Sequence, residues 1–144
     1  MKRDLIKLGE VSVDSGQIII CDPCYIDSMW KNEEFVDQRR YRQRGTEVIL
    51  EFRKDFQMFN EVILAYGKDM NTLIDEGEFY QLPYAPAKHP FSYNGCCVQT
   101  LSGHGGELAG GSGVASSSGW GDGSYPVVAE IREGRVKSIT ITFF

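Results

Sequence analysis

The chain has 144 residues, 42% of them hydrophobic and 24% charged, a composition that buries a core without crosslinks. Lys and Arg number 15 against 20 Asp and Glu, a net charge of −5, which excludes the broad basic face that long nucleic acid or an anionic membrane surface requires. No apolar run reaches the ~20 residues that span a bilayer, and Met1-Lys2-Arg3-Asp4 leads into no apolar stretch of signal-peptide length. One cytoplasmic domain, residues 1–144, with four reduced cysteines is therefore expected.

Glu10–Ile20 reads as two strands about a turn. Val11 and Val13 alternate with polar neighbours, Asp14-Ser15-Gly16 supplies the turn, and Gln17–Cys21 is apolar and β-branched. The unbroken Ile18-Ile19-Ile20 run predicts a strand covered on both faces, and Pro23 ends it because it cannot donate to a ladder. Met29–Tyr41 is expected to hold a short helix capped at Asn32. The run Arg39, Arg40, Arg42 and Arg44 then reads as a solvated helix face or as a contact for an anionic partner.

The middle of the chain carries a helical spacing. Val48, Phe52, Phe56, Phe59, Ile63, Tyr66, Met70 and Leu73 follow one another at intervals of 4, 4, 3, 4, 3, 4 and 3, which predicts an apolar helical stripe that belongs to the core. Thr46 is the expected N-cap, Gly67 a break and Gly77 the final stop.

Gln81–Pro90, with prolines at 83, 86 and 90, must be an extended connector. Cys96–Leu101 has strand character, whereas Gly103–Gly113, with six glycines, reads as too permissive for a regular element. Val114–Ser118 and Tyr125–Ile131 are expected strands. Arg132-Glu133-Gly134-Arg135 turns the chain into a last strand, Val136–Phe144, whose alternation slips by one residue near Ser138. The fold class that follows is α+β: a mainly antiparallel β-sheet, as a sandwich or open barrel, with a central helical insertion packed on it.

Three stretches together resemble a group of small bacterial and phage proteins, the domain-of-unknown-function family 4241. They are Ser15-Gly16-Gln17-Ile18-Ile19-Ile20 running into Cys21-Asp22-Pro23, the motif Gly119-Trp120-Gly121-Asp122-Gly123-Ser124-Tyr125-Pro126-Val127 with Ser118 before it, and a closing hairpin turning at Gly134-Arg135-Val136. Asp22-Pro23-Cys24-Tyr25, followed by Trp30, is similar to the phage members. The resemblance covers the two ends, leaves roughly residues 31–90 unassigned, and implies this fold in a phage or bacterial cytosol. It carries no activity or catalytic residue.

The chemistry-bearing residues gather at two expected sheet edges. Gly121-Asp122-Gly123 fits a tight hairpin turn, where Asp-Gly accepts positive φ. The extra glycines and Trp120 beside it equally fit a pocket lip, with an indole to stack on and backbone N–H groups to hold an anion. Asp22 reads as an Asx turn, or as one of two rim carboxylates that with Asp122 hold Mg²⁺ or Ca²⁺ through water. The reading adopted is a binding module without catalysis, metal or cofactor. Asp22, Tyr25, Trp120, Gly121, Asp122, Gly123 and Tyr125 enclose a small polar or nucleotide-like ligand in it. The alternatives are a metal-assisted hydrolase or transferase using Asp22 and Asp122 with His104 as base, and an inhibitor-type interaction module using the Arg39–Arg44 face. A homodimer through the strand Val136–Phe144 is compatible with each. Cys21, Cys24, Cys96 and Cys97 read as buried, unreactive thiols. Zinc, with His89 or His104 as a further ligand, and a C-x-P-C redox pair compete with that.

Overall fold

The computed structural model describes residues 4–144, so Met1–Arg3, over which no signal segment is expected, lie outside the described residues. In chain order the first elements are β1 (Asp4–Val13), β2 (Gln17–Cys21), α1 (Cys24–Met29), β3 (Arg40–Gln43), β4 (Ile49–Glu51), β5 (Val62–Ile63) and β6 (Lys68–Asp69). There follow α2 (Met70–Asp75), β7 (Phe79–Gln81), α3 (Tyr93–Ser102), β8 (Gly105–Leu108), β9 (Gly113–Ser117), β10 (Gly123–Arg132) and β11 (Arg135–Ile141). The fold is α+β and sheet-rich: every ladder between these strands is antiparallel, the helices are short, and no sheet among the described residues closes into a barrel. The chain divides into two compact units. One combines the described residues up to Glu33 with Lys88–Phe144, and the other is Glu34–Ala87.

In the first unit the expected strands around Asp14-Ser15-Gly16 form, but not as a hairpin. β1 pairs with β10, and β2 pairs with β9, in different three-stranded sheets ordered β1-β10-β11 and β2-β9-β8. The ladder runs to Val13↔Gly123 in one sheet and resumes at Gln17↔Ser117 in the other. Together β1-β2 and β9-β10 are therefore one long antiparallel ribbon bent at a corner, the way strands switch sheets in orthogonal packings. The corner sets Asp14–Gly16 against the longer Ser118–Asp122, so Gly121-Asp122-Gly123 is a sheet-crossing connection rather than a tight hairpin.

α3 packs on β8 and β9, and Phe91, Cys96, Leu108 and Ala115 make the core between them, flanked by Ile19, Cys21, Met29 and Trp30. The strand expected at Cys96–Leu101 is the body of this helix. Ser92 Oγ accepts the Gly95 N–H at 2.9 Å and starts it. Gly95 is required there, because a Cβ would stand 1.9 Å from the Pro90 carbonyl oxygen. The glycine-rich stretch also forms a regular element, β8: at Gly105 (φ 147°) a Cβ would meet the Ala115 oxygen at 2.1 Å, so glycine lets the strand lie against β9. Ile20 is half exposed, so β2 is not covered on both faces. The slip expected near Ser138 is present as a β10–β11 bulge, Glu130 facing Ser138 and Ile131 facing Val136. β11 is an edge strand with Val136 and Ile139 exposed.

The second unit corrects the helical insertion. All the stripe residues but Val48, which is exposed, are core as expected, with Phe56, Met70 and Leu73 buried beside Tyr41 and Phe79, and Phe52, Phe59, Ile63 and Tyr66 packed against them. Only Met70–Asp75 is helical, however. Arg53 at φ 71° and Gly67 at φ 66° turn the chain out of the helical region, and Phe52 N–H bonds to the Arg39 carbonyl at 3.0 Å instead. The N-cap is Asp69, whose Oδ1 takes the Thr72 N–H at 2.8 Å, and not Thr46. Gly77, at φ 76°, ends the helix as expected. No helix spans Met29–Tyr41; α1 ends at Met29, and Arg40–Gln43 is the central strand of a β4-β3-β7 sheet.

Candidate functional site

The corner connection is held from three sides. Ser118, fully buried, donates its N–H to the Gly16 oxygen at 3.0 Å, and Gly121 N–H returns to the Ser118 oxygen at 3.0 Å. The Gly121 carbonyl accepts both Ser118 Oγ at 2.8 Å and the Tyr125 hydroxyl at 2.7 Å. Asp122 Oδ1 accepts the Gly16 N–H at 2.9 Å, tying the loop to the opposite side of the corner. Tyr125 is buried with its ring edge-to-face on Phe143, centroids 5.2 Å apart. Gly119, at φ 57°, passes so close to Phe143 that a Cβ would lie 2.9 Å from its Cβ.

This tethered loop carries Trp120 with 83% of its surface exposed. Beside it lies a cleft of about 370 Å³ lined by Trp120, Asp122, Gly123, Ser124, Tyr125 and Phe144. The backbone N–H groups of Trp120 and Asp122, both of which line the cleft, bond to no other described residue. The site therefore joins an aromatic plane, a carboxylate and free N–H groups on a loop that Ser118, Asp122 and Tyr125 fasten in place, a combination suited to recognition.

Sequence reasoning places five of its seven rim residues at this corner: Trp120, Gly121, Asp122, Gly123 and Tyr125. Gly121 contributes a structural carbonyl rather than a cleft wall. Asp22 and Tyr25 are elsewhere. Asp122 is fastened to Gly16 at the start of β2, whereas Asp22 follows its last residue, so roughly 20 Å of extended strand separates the two turns. The expected pair of neighbouring carboxylates is not formed, and no cluster of three His, Cys, Asp or Glu suited to a metal ion occurs among the described residues. His104 offers its carbonyl to the Ser117 N–H at 2.9 Å, on the far side of β9 from β2.

Asp22 is an Asx turn. Its Oδ1 takes the Cys24 N–H at 3.0 Å. That bond, with the Cys24 thiol, holds its carboxyl below the usual range. The same contact pushes the Cys24 thiol up, against what a redox cysteine needs. Cys96 and Cys97 are buried on α3, and burial raises the Cys96 thiol to about 11. Cys24, by contrast, is exposed and Cys21 half-buried, so the expectation of four buried thiols holds only for the helical pair.

Two cleft residues, Ser124 and Phe144, escape sequence reasoning. The signal for Ser124 was its place next to Tyr125 in a strand. Phe144 carries no pattern of its own, being brought in only by β11 running beside β10. Comparison with protein-family models, with curated proteins and with solved structures gives no match for the chain. No helix among the described residues is long and apolar enough to cross a membrane.

Proposed function

We propose that the protein is a non-catalytic binding module whose corner cleft takes a small polar ligand with a planar face, of nucleotide type. The observation that supports this most is Trp120, a large apolar ring held in solvent by a loop that hydrogen bonds fix at both ends. Exposed single apolar residues are common. An indole beside a cleft of about 370 Å³, with free N–H donors adjacent, is a stacking platform with polar contacts at hand. The Asp122 oxygen and the Tyr125 hydroxyl are committed to holding the loop, which favours binding over turnover. The separation of Asp22 from Asp122 weighs against the metal-assisted reaction. In the phage or bacterial setting that the resemblance implies, such a module would sequester a nucleotide-type signal.

Thermal unfolding with 5′-nucleoside monophosphates and cyclic nucleotides tests the proposal. At a ligand concentration of one hundred times Kd the native state gains about 2.7 kcal/mol, and Trp120→Ala should remove that gain. Melting curves unmoved by every nucleotide at millimolar concentration would sink it.

A further inference from the structure

The arginine run of the second unit contains a residue that its own fold leaves unsatisfied. Arg39 is gripped by Asp37 through Nε (3.1 Å to Oδ1) and Nη2 (2.8 Å to Oδ2), and its guanidinium lies 4.1 Å over the Phe52 ring. Arg42 binds the Thr46 oxygen and Glu47, each at 2.8 Å. Arg44 binds the Gly77 oxygen at 2.9 Å and covers Tyr80. Arg40 differs. Only its Nη2 has a partner, a long 3.3 Å bond to the Pro83 oxygen. Its Nε is buried without any partner, which holds for no other buried side-chain nitrogen or oxygen among the described residues. No carboxylate pairs with it among those residues either.

Arg40 also lines a cleft of about 230 Å³, together with Asp37, Gln38, Arg39, Glu51 and Phe52. A guanidinium that lines a cavity, holds only one long bond of its own and pairs with no described carboxylate offers its remaining fork to an acceptor from outside the chain. The guanidinium fork matches the two oxygens of a carboxylate or phosphate. Asp37 and Phe52 hold the neighbouring Arg39 flat, so that wall of the cleft is preformed. We propose that this cleft is an oxyanion site in which Arg40 accepts a small, singly charged group, a carboxylate before a phosphate. The carboxylates of Asp37 and Glu51 in the same lining set that preference, since they repel a polyanion. The cleft is below the roughly 300 Å³ at which drug-sized pockets begin, so the ligand is a compact acid. This site is separate from the nucleotide reading of the Trp120 cleft and stands or falls without it.

The test is NMR titration with sodium acetate and with inorganic phosphate at constant ionic strength, following the backbone amides of the cleft residues Gln38, Glu51 and Phe52, which report in every variant. A saturable shift with acetate, stronger than with phosphate, is expected, and Arg40→Gln should weaken acetate binding about tenfold or more. Should that variant fail to fold, Glu51→Gln decides. Removing a carboxylate from the lining should tighten acetate binding by a factor of about two or more, whereas an arginine with a purely structural role would show no such gain. A shift that chloride reproduces, or Glu51→Gln with unchanged affinity, overturns the proposal. So does a phosphate response stronger than the acetate one, since it reverses the charge selection.

Discussion

In the unit formed by both ends of the chain the backbone carries the organisation; in Glu34–Ala87 aromatic side chains do. The first unit has strands of ten residues, β1 and β10, paired along their length with one register shift between Lys7 and Gly9, and a core cluster as small as Phe91, Cys96, Leu108 and Ala115. The longest strand of the second is four residues, β3. Its core is Tyr41, Phe56, Met70, Leu73 and Phe79, with ring pairs such as Phe56–Phe59 and Tyr66–Phe79 at 5.1 and 5.3 Å between centroids. Long ladders fix position through many hydrogen bonds, so their side chains can be small. Short ones need bulky rings to exclude water from what remains. The difference also sorts the two clefts. The corner cleft rests on a loop that its own side chains fasten, the arginine cleft on a strand whose Arg40 Nε has no partner.

The comparison breaks first under core substitutions. Phe79→Ala should cost about 3–5 kcal/mol. In hydrogen exchange it should speed the amides of Met70–Asp75 far more than those of Tyr93–Ser102; equal loss in both would show that the aromatic core is not particular to its unit. Gly95→Ala should damage the backbone-built unit comparably, through the Pro90 carbonyl, with the opposite exchange pattern.

Asp122→Ala is a smaller probe. It removes one bond to the Gly16 N–H at an exposed corner, and a loss of about 1 kcal/mol in denaturant unfolding is expected. No loss would mean that Ser118 and Tyr125 hold the corner without it. Glu33 gives a pH signature in the same unit. Its carboxylate accepts Asn94 Nδ2 at 2.7 Å and the His89 N–H at 2.8 Å, and the Asn94 bond above all lowers its pKa from the ordinary 4.5. A depressed folded pKa stabilises above the unfolded value and loses that stabilisation as pH falls through the folded one. The difference in Tm between wild type and Glu33→Gln should thus be full near neutrality and shrink progressively below about pH 4.5; a constant difference would remove the charge from the account. Smallest of all, Trp120→Ala should change the stability of the free protein by less than about 0.5 kcal/mol. A larger loss would make the indole a packing residue and take the platform from the corner cleft.

What local chemistry dictates was present in the sequence. The strands Gln17–Cys21, Gly113–Ser117, Gly123–Arg132 and Arg135–Ile141 follow from apolar and β-branched runs between turn residues, and the slip at Ser138 follows from the alternation itself. The core membership of the aromatic stripe and the Asx turn at Asp22 were legible for the same reason: burial and short-range hydrogen bonding need only near neighbours in sequence. Helix or strand in the middle was not legible, because turns at Arg53 and Gly67 return every third or fourth residue to one core as a helix would. Nor could Ser92 and Gly95 announce α3 against the strand character of Cys96–Leu101, since the need for glycine comes from a carbonyl five residues earlier in a fold not yet made. Which carboxylates meet is decided by sheet assignment alone. Only the bend of the ribbon brings Asp122 to Gly16, and only the length of β2 keeps Asp22 away from both.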